Sequence, residues 1–204
     1  MEPQHGRAVD QQHAIQFYSG AIAPYHLLSN FSEAEVVIDN VSYPSSEHAF
    51  QAALSLEGVE AFSSSSAIGK LTPAACGVVG FPPKKLDAKC AFWSKKRNVG
   101  ILAKMLIAKH KKAERKRQVD RAEVELLFKK ILLDKYRRNP KAREALLSTG
   151  NAYLYEFVRS ANSKFTKKGV VDRWGAMIVD GKVVGDNQMG ALMMWVREQI
   201  RQEK

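Results

Sequence analysis

Turn dipeptides divide two β-rich stretches of this chain and limit its strands to a few residues each. Asp39-Asn40 lies between Glu35–Ile38 and Val41–Tyr43, and Asp180-Gly181 lies within Met177–Val184. Asn, Asp and Gly tolerate the left-handed backbone conformation that a two-residue hairpin turn requires. The sequence therefore predicts two short hairpins, which form a small antiparallel sheet.

Helical periodicity fills much of the remaining sequence. Pro44-Ser45-Ser46-Glu47 predicts a helix from about Ser46 to Glu57, because a serine oxygen can cap free backbone N–H groups. Further helices are predicted over about Phe92–Lys112, Arg121–Tyr136, Asn139–Gly150 and Asn187–Gln199, and strands over Ala14–Tyr18 and Tyr153–Val158. We expect an α+β fold in which several helices cover the sheet.

Length and composition indicate one folded domain. The 204 residues are 45% hydrophobic and 26% charged, which is ordinary for a soluble globular protein. We expect a mobile N-terminal tail over residues 1–13 and a single compact domain over residues 14–204. The sequence has no apolar segment of membrane-spanning length and no signal-peptide pattern, and its two cysteines, Cys76 and Cys90, favour a reduced state. These features predict a cytoplasmic or nuclear protein.

The positive charge is concentrated in one segment. Between Lys84 and Arg117 there are thirteen basic and two acidic residues, which accounts for the whole net charge of +11. Such a segment binds a polyanion, carries a targeting signal or only aids solubility. The residues that we predict to contact nucleic acid are Lys109, Lys111, Lys112, Arg115, Lys116 and Arg117.

The sharpest chemical candidate is Glu47. On the predicted helix Glu47 and Gln51 lie one turn apart, so a carboxylate and an amide are adjacent, and His48 follows directly. A carboxylate in this setting can accept a proton, hold a ribose hydroxyl or stabilise a developing cation. The alternative is that Glu47 only completes the first helical turn.

Two loop segments are further candidates. The indole of Trp174, beside Gly175, can stack on a base or cap the core of the second hairpin. Gly185-Asp186-Asn187 precedes the last predicted helix, where open backbone N–H groups can receive a phosphate, or where Asn187 is an ordinary helix cap. The sequence has no phosphate-binding loop, dinucleotide fingerprint or zinc-ligand spacing. We expect no metal and no redox cofactor.

Six segments occur in an order that resembles one known family. They are Leu28-Ser29-Asn30-Phe31, Tyr43-Pro44-Ser45-Ser46-Glu47-His48-x-Phe50-Gln51, Leu146-Leu147-Ser148-Thr149-Gly150, Leu154-Tyr155-Glu156, Trp174-Gly175 and Gly185-x-Asn187-x-x-Gly190-x-x-x-Met194-x-x-Arg197. From about Ile15 to Arg197 the chain resembles the NADAR (NAD- and ADP-ribose-associated), or YbiA-like, family. The resemblance implies the compact α+β YbiA-like/NADAR fold.

The resemblance also implies an N-glycosidase, which hydrolyses the bond between a ribose C1 and a nitrogen. Some members remove ADP-ribose from guanine bases, and others act on a phosphoribosylamino-pyrimidine of riboflavin synthesis. Glu47 is implied as the catalytic carboxylate. Glu156 is a candidate second carboxylate, or a core salt-bridge residue, and Lys135 is a candidate for binding phosphate or forming an imine. The implied substrate-binding residues are Ser29, Asn30, Phe31, His48, Gln51, Trp174, Gly175 and Asn187.

The chain departs from its relatives at three places. Leu54 stands where relatives often have Lys, and Val171 stands where they often have Asp, with Asp172 as the nearest acid. The basic stretch at about residues 96–120 is largely an insertion. Removal of ADP-ribose from guanine in nucleic acid or nucleotides is the favoured function because of the basic segment. The riboflavin-type substrate and a non-catalytic module that binds ADP-ribose or nucleic acid are the alternatives.

Overall fold

The computed structural model describes residues 1–54, 59–66, 68–70, 119–158 and 173–203. Several predictions fall outside these residues: the helix over Phe92–Lys112, the basic segment with its six nucleic-acid contacts, both cysteines, Val171 and Asp172. The chain divides into two compact units, one formed by Met1–Ser29 with Asn139–Lys204 and the other by Asn30–Arg138.

Within the described residues, the second unit holds one hairpin and two α-helices. Strand β2 (Val36–Ile38) pairs antiparallel with β3 (Val41–Tyr43), and helix α1 (Ser46–Leu54) follows at once. Asp39 and Asn40 have positive φ values of 50° and 65°, which confirms the predicted turn. Its third main element is helix α2 (Arg121–Arg138), which contacts both α1 and β2.

Apolar side chains and the Asp134 carboxylate join the described elements of the second unit. The buried cluster consists of Val36, Tyr43, Ala49, Ala52, Phe62, Ile68 and Ile131. Phe50 of α1 stacks on Phe128 of α2 with ring centroids 4.2 Å apart. The Val37 N–H donates to Asp134 Oδ2 of α2 at 2.7 Å, so an edge amide of the hairpin is satisfied by a helix side chain. The stacked rings hold α1 against α2, and the hydrogen bond holds the hairpin against α2.

The first unit joins both ends of the chain. Strand β1 (Ala14–Phe17) pairs in parallel with β4 (Tyr153–Glu156), and β5 (Met177–Val179) pairs antiparallel with β6 (Lys182–Val184). Helix α3 (Pro140–Leu147) begins after Asn139, and helix α4 (Gln188–Gln202) contacts β4. Three short 3-10 helices complete the described elements of the two units, at Gln11–His13, Tyr25–Leu28 and Val59–Phe62.

The predicted α+β class is confirmed, with two corrections of detail. The β1–β4 pair is parallel, whereas the prediction named only antiparallel pairing. The N-terminal residues do not form a separate tail: Gly6 N–H donates to the Val183 carbonyl and Val9 N–H to the Gly181 carbonyl, both at 2.8 Å. These bonds line up the polar N-terminus along the exposed edge of β6, where backbone groups otherwise lack partners.

Other boundaries agree closely with the sequence. Helix α2 begins at Arg121 as predicted, Pro140 occupies the first position of α3, and Gly150 has the expected left-handed φ of 54°. Asp180 and Gly181 form the second hairpin turn with φ values of 49° and 71°. Among the described residues, no helix is long and apolar enough to cross a membrane.

Glycine is required at position 190 because α4 approaches β4 closely there. A Cβ atom there would overlap the Leu154 carbonyl oxygen and the Asn187 side-chain amide. We expect Gly190→Ala to lower the free energy of unfolding by roughly 2–3 kcal/mol because of overpacking, although alanine has the higher helix propensity by about 1 kcal/mol. Urea denaturation measures the change.

Gly150→Ala is the matched control for this glycine. Nothing lies within 4 Å of a Cβ at that position, and only the left-handed φ opposes it. We expect a loss of about 1 kcal/mol there. An equal or larger loss for Gly150→Ala than for Gly190→Ala would show that backbone conformation, and not the approach of α4 to β4, sets the requirement.

Candidate active site

The start of α1 is buried, and its polar groups form hydrogen bonds between Ser45 and His48. Ser45 Oγ accepts from the His48 N–H at 3.3 Å and lies 2.8 Å from His48 Nδ1, and the Ser45 carbonyl accepts from the Ala49 N–H. Ser45 is therefore the N-cap residue, as the sequence predicts. Ser45, Ser46 and His48 are all completely buried. His48 has a defined role in fixing this turn, and its contact with substrate stays a prediction.

Glu47 is the carboxylate of this buried turn. Only 9% of the residue is exposed, and its N–H donates to the Asn30 carbonyl at 3.2 Å. Gln51 Nε2 donates to Glu47 Oε1 at 2.7 Å, so the two side chains meet as their spacing predicts. The N-terminal end of a helix carries partial positive charge, which stabilises a carboxylate in the first turn. The structure thus holds an oriented carboxyl group where water has little access.

Gln51 presents a second polar atom at the same place. The residue is 6% exposed, and its Oε1 has no hydrogen-bond partner among the residues that the structure describes. A buried carbonyl oxygen normally has a partner. The amide nitrogen is therefore hydrogen-bonded to Glu47, and the amide oxygen is buried without a partner among the described residues.

Lys135 also belongs to the second unit, on α2. Its side chain is completely buried, and Nζ lies 5.2 Å from the centroid of the Tyr136 ring. Burial raises the pKa of the Tyr136 phenol well above its ordinary value, so the ring beside the ammonium stays neutral. An electron-rich neutral ring stabilises a cation. Lys135 is thus a buried amine on a helix that packs against α1.

The predicted aromatic, Trp174, lies in the first unit outside any helix or strand, as expected. Arg173 lies over its indole ring, 4.8 Å from the centroid, and Arg173 Nε donates to Gln188 Oε1 at 2.9 Å. Arg173 is not among the site residues predicted from the sequence. An Arg-Trp dipeptide in a loop is a weak signal, because neighbouring side chains usually point apart.

The residues around Trp174 are fixed by the first turn of α4. The N–H groups of Asn187, Gln188 and Met189 donate to the carbonyls of Gly175, Arg173 and Trp174, respectively. The expectation of open N–H groups for a phosphate at this helix start is therefore wrong, because backbone carbonyls already occupy those donors. Gly175 is also sterically required, since a Cβ there would overlap Val158.

Asn187 has a structural task that its sequence position does not reveal. It precedes α4 with a left-handed φ of 48° and makes no capping bond with its side chain. Instead Nδ2 donates to Tyr153 Oη at 3.0 Å and to the Leu154 carbonyl at 2.9 Å, and Oδ1 accepts from the Glu156 N–H at 3.2 Å. Its completely buried side chain thus ties β4 to the start of α4, and its predicted substrate contact stays a prediction.

The remaining predicted residues are distributed over both units. Glu156 lies half-buried at the end of β4, and Ser29 is buried after the 3-10 helix Tyr25–Leu28. In the second unit Asn30 is buried and Phe31 is 37% exposed. Leu54, where relatives often have Lys, is buried. The described residues contain no group of three or more His, Cys, Asp or Glu side chains that could hold a metal ion.

Comparison with known proteins identifies the family of the chain. The NADAR domain profile matches residues 16–201 and spans both units. The chain belongs to the NADAR family. That family includes N-glycosidase-like members. No functionally curated protein matches the chain.

A solved structure supports the NADAR fold. The NMR structure of the E. coli protein YbiA is similar to this chain with a TM-score of 0.52 and 23% sequence identity, over 99% of this chain and 93% of YbiA. At this identity the similarity establishes the fold alone. The roles of individual residues in the NADAR site therefore depend on the geometry described above.

The side chain of Asn187 provides a test of its structural role in this NADAR domain. We expect Asn187→Ala to lower the free energy of unfolding by about 2–4 kcal/mol, because a buried hydroxyl, carbonyl and N–H lose their partner. Asn187→Gly relieves the left-handed φ but removes the same bonds, so we expect it to remain destabilised. Urea denaturation of both variants measures the effect, and wild-type stability of Asn187→Gly would contradict the role of the side chain.

Proposed function

We propose that this protein is an N-glycosidase that removes ADP-ribose from ADP-ribosylated guanine by hydrolysing the bond between ribose C1 and the base nitrogen. The observation that carries the proposal is Glu47, a buried carboxylate whose Oε1 is held by Gln51 at 2.7 Å. Membership of a family that includes N-glycosidase-like proteins supports the reaction class.

The chemistry requires an anion near the reacting carbon. As the C1–N bond breaks, its electron pair leaves with the nitrogen, and positive charge develops on C1 and the ring oxygen. A preorganised carboxylate in a site with little water stabilises that charge more strongly than it would in bulk solvent. Water then attacks C1 and loses a proton to Glu47, the departing nitrogen takes up a proton from solvent, and Glu47 returns its proton to solvent. The products are ADP-ribose and guanine in its original form.

Lys135 has one of two roles in this scheme. In one, its unprotonated amine attacks the aldehyde carbon of the opened ribose and forms an imine with loss of water. If it keeps its proton, it is a binding site for substrate phosphate. Borohydride added during turnover traps an imine as a covalent adduct at Lys135, whereas turnover without an adduct assigns the phosphate-binding role.

The basic segment supports a nucleic acid as carrier of the modified guanine. The rest of the chain has equal numbers of acidic and basic residues, so long-range attraction to a polyanion comes from Lys84–Arg117. Contacts to phosphates add affinity without participating in the reaction. A small anionic metabolite gains little from thirteen basic residues, which places the riboflavin-type substrate second.

The first test uses Glu47→Gln on ADP-ribosylated guanosine, with ADP-ribose release followed by mass spectrometry. We expect turnover to fall by roughly 10³-fold, because the carboxylate charge is lost. The melting temperature should change little, because the amide oxygen at position 47 still accepts from Gln51. Glu144→Gln, at an exposed glutamate, is the matched control and should retain activity. Undiminished release by Glu47→Gln would contradict the assigned role.

The second test concerns the basic segment. Replacing Lys111, Lys112, Lys116 and Arg117 with Gln should slow release from a modified oligonucleotide and leave release from the modified nucleoside unchanged. We expect the slope of log affinity against log salt to fall by about three for single-stranded DNA, at roughly 0.7 per phosphate contact. Binding titrations at several salt concentrations measure this slope.

The control removes the same number of charges elsewhere. Lys70, Arg121, Lys141 and Lys182 are exposed and lie outside the basic segment. If their replacement reduces oligonucleotide binding as much as that of the segment, net charge and not a local contact surface determines affinity. If the protein hydrolyses neither guanine substrate, the riboflavin-type intermediate becomes the favoured substrate. If that compound is not hydrolysed either, a non-catalytic binding module becomes the favoured function.

A further inference from the structure

The buried amide of Gln51 has two ends with different surroundings. Its Nε2 donates to Glu47 Oε1 at 2.7 Å, whereas its Oε1 is buried without a hydrogen bond to any residue described here. Only 6% of the residue is exposed. The arrangement joins a charged acceptor and a neutral acceptor through a single side chain.

This orientation of the amide is set by Glu47. An ionised carboxylate only accepts hydrogen bonds, so the donor end of the Gln51 amide must face it. Turning the amide over would place two acceptor oxygens against each other. Oε1 therefore has to point away from the Glu47 carboxylate, and the group that it receives must be a donor.

The geometry limits the donor to a group close to the reacting carbon. The amide is planar and short, so a donor to Oε1 and a group at the Glu47 carboxylate are separated by little more than the amide and its hydrogen bonds. A neutral hydroxyl suits a buried carbonyl oxygen, since it satisfies the oxygen without introducing another charge. In a ribose whose C1 faces Glu47, the hydroxyl nearest to C1 is the one on C2.

We infer that Gln51 is a specificity-determining and positioning residue: its Nε2 orients the Glu47 carboxylate, and its Oε1 accepts the C2 hydroxyl of the ribose whose C1–N bond is cleaved. The inference rests on the proposed function, because that function places C1 at Glu47. It predicts that the site prefers ribosyl to 2-deoxyribosyl substrates. A site built around a hydroxyl rejects the analogue that lacks it, since a buried acceptor is left unpaired.

The test compares ADP-ribosylated guanosine with its 2-deoxyribosyl counterpart, altered only in the ribose that is released. Wild-type protein and Gln51→Met are assayed on both, and the ratio of kcat/KM for the two substrates is calculated for each protein. The deoxy sugar differs in intrinsic reactivity by the same factor for both proteins, so comparing the two ratios cancels this factor. We expect the preference for the ribosyl substrate to fall by about tenfold in Gln51→Met.

The control variant is Gln188→Met. Gln188 is a second buried glutamine, but its Oε1 accepts from Arg173. Its replacement should leave the ratio of the two substrates as in the wild type. An unchanged ratio in Gln51→Met, with both substrates slowed equally, would overturn recognition of the hydroxyl.

Gln51→Glu tests the positioning role and preserves the shape of the side chain. Two carboxylates would then lie one turn apart, and their repulsion raises the pKa at which the pair loses its shared proton. We expect the acid limb of the kcat/KM profile to move to higher pH. A profile that coincides with that of the wild type would overturn the positioning role, and this variant also serves if Gln51→Met does not fold.

Binding distinguishes failure of this inference from failure of the proposed function. If the wild type releases nothing from either substrate, the proposed reaction is wrong, and calorimetric titration with free ADP-ribose and 2-deoxy-ADP-ribose then tests Gln51 alone. About tenfold tighter binding of ADP-ribose by the wild type, lost in Gln51→Met, would support hydroxyl recognition without catalysis. Equal or undetectable binding of both ligands would overturn it.

Discussion

The buried start of α1 is the constraint on which the second unit depends. A helix leaves its first N–H groups without partners inside the helix, and burial removes water as a substitute. The described structure meets this requirement with the Asn30 carbonyl and Ser45 Oγ. Both bonds fix the direction in which α1 leaves the β2–β3 hairpin, and so they fix where the Glu47 carboxylate lies. A solvent-exposed helix start would tolerate many directions.

In the first unit, the N–H groups at the start of α4 also have partners, although no side chain caps this helix. Asn187 stands at the N-cap position but directs its amide to β4, and backbone carbonyls from residues 173–175 satisfy the first N–H groups of α4. Because the same carbonyls belong to the loop that carries Trp174, the loop and the helix are held as one piece. Because Gly190 has no side chain, α4 can approach β4 closely enough for Asn187 to form these bonds.

Local patterns predicted most of the secondary structure because their causes are local. The turns at Asp39-Asn40 and Asp180-Gly181 depend on residues that accept positive φ, and the contact between Glu47 and Gln51 depends only on helical spacing. The direction of the β1–β4 pairing was not predictable, because those strands are far apart in the chain and alternation is the same in parallel and antiparallel pairs. The pairing of the N-terminal residues with β6 was not predictable for a related reason: backbone bonds need no particular side chains, so the sequence of a polar segment does not indicate them.

In the proposed function, catalysis depends on a short-range electrostatic interaction, and affinity for the polynucleotide depends on a long-range one. The field of a buried carboxylate acts over a few ångströms in a medium of low effective dielectric constant, where dissolved salt screens little. The basic segment acts on phosphates through solvent, where the Debye length is about 8 Å at physiological ionic strength. Raising the salt concentration should therefore weaken the capture of a polynucleotide much more than the bond-breaking step at Glu47. The kinetic signature of such a division is a KM for oligonucleotide that rises steeply with salt beside a nearly constant kcat, and a free modified nucleoside has no comparable salt dependence because it presents few phosphates to the segment.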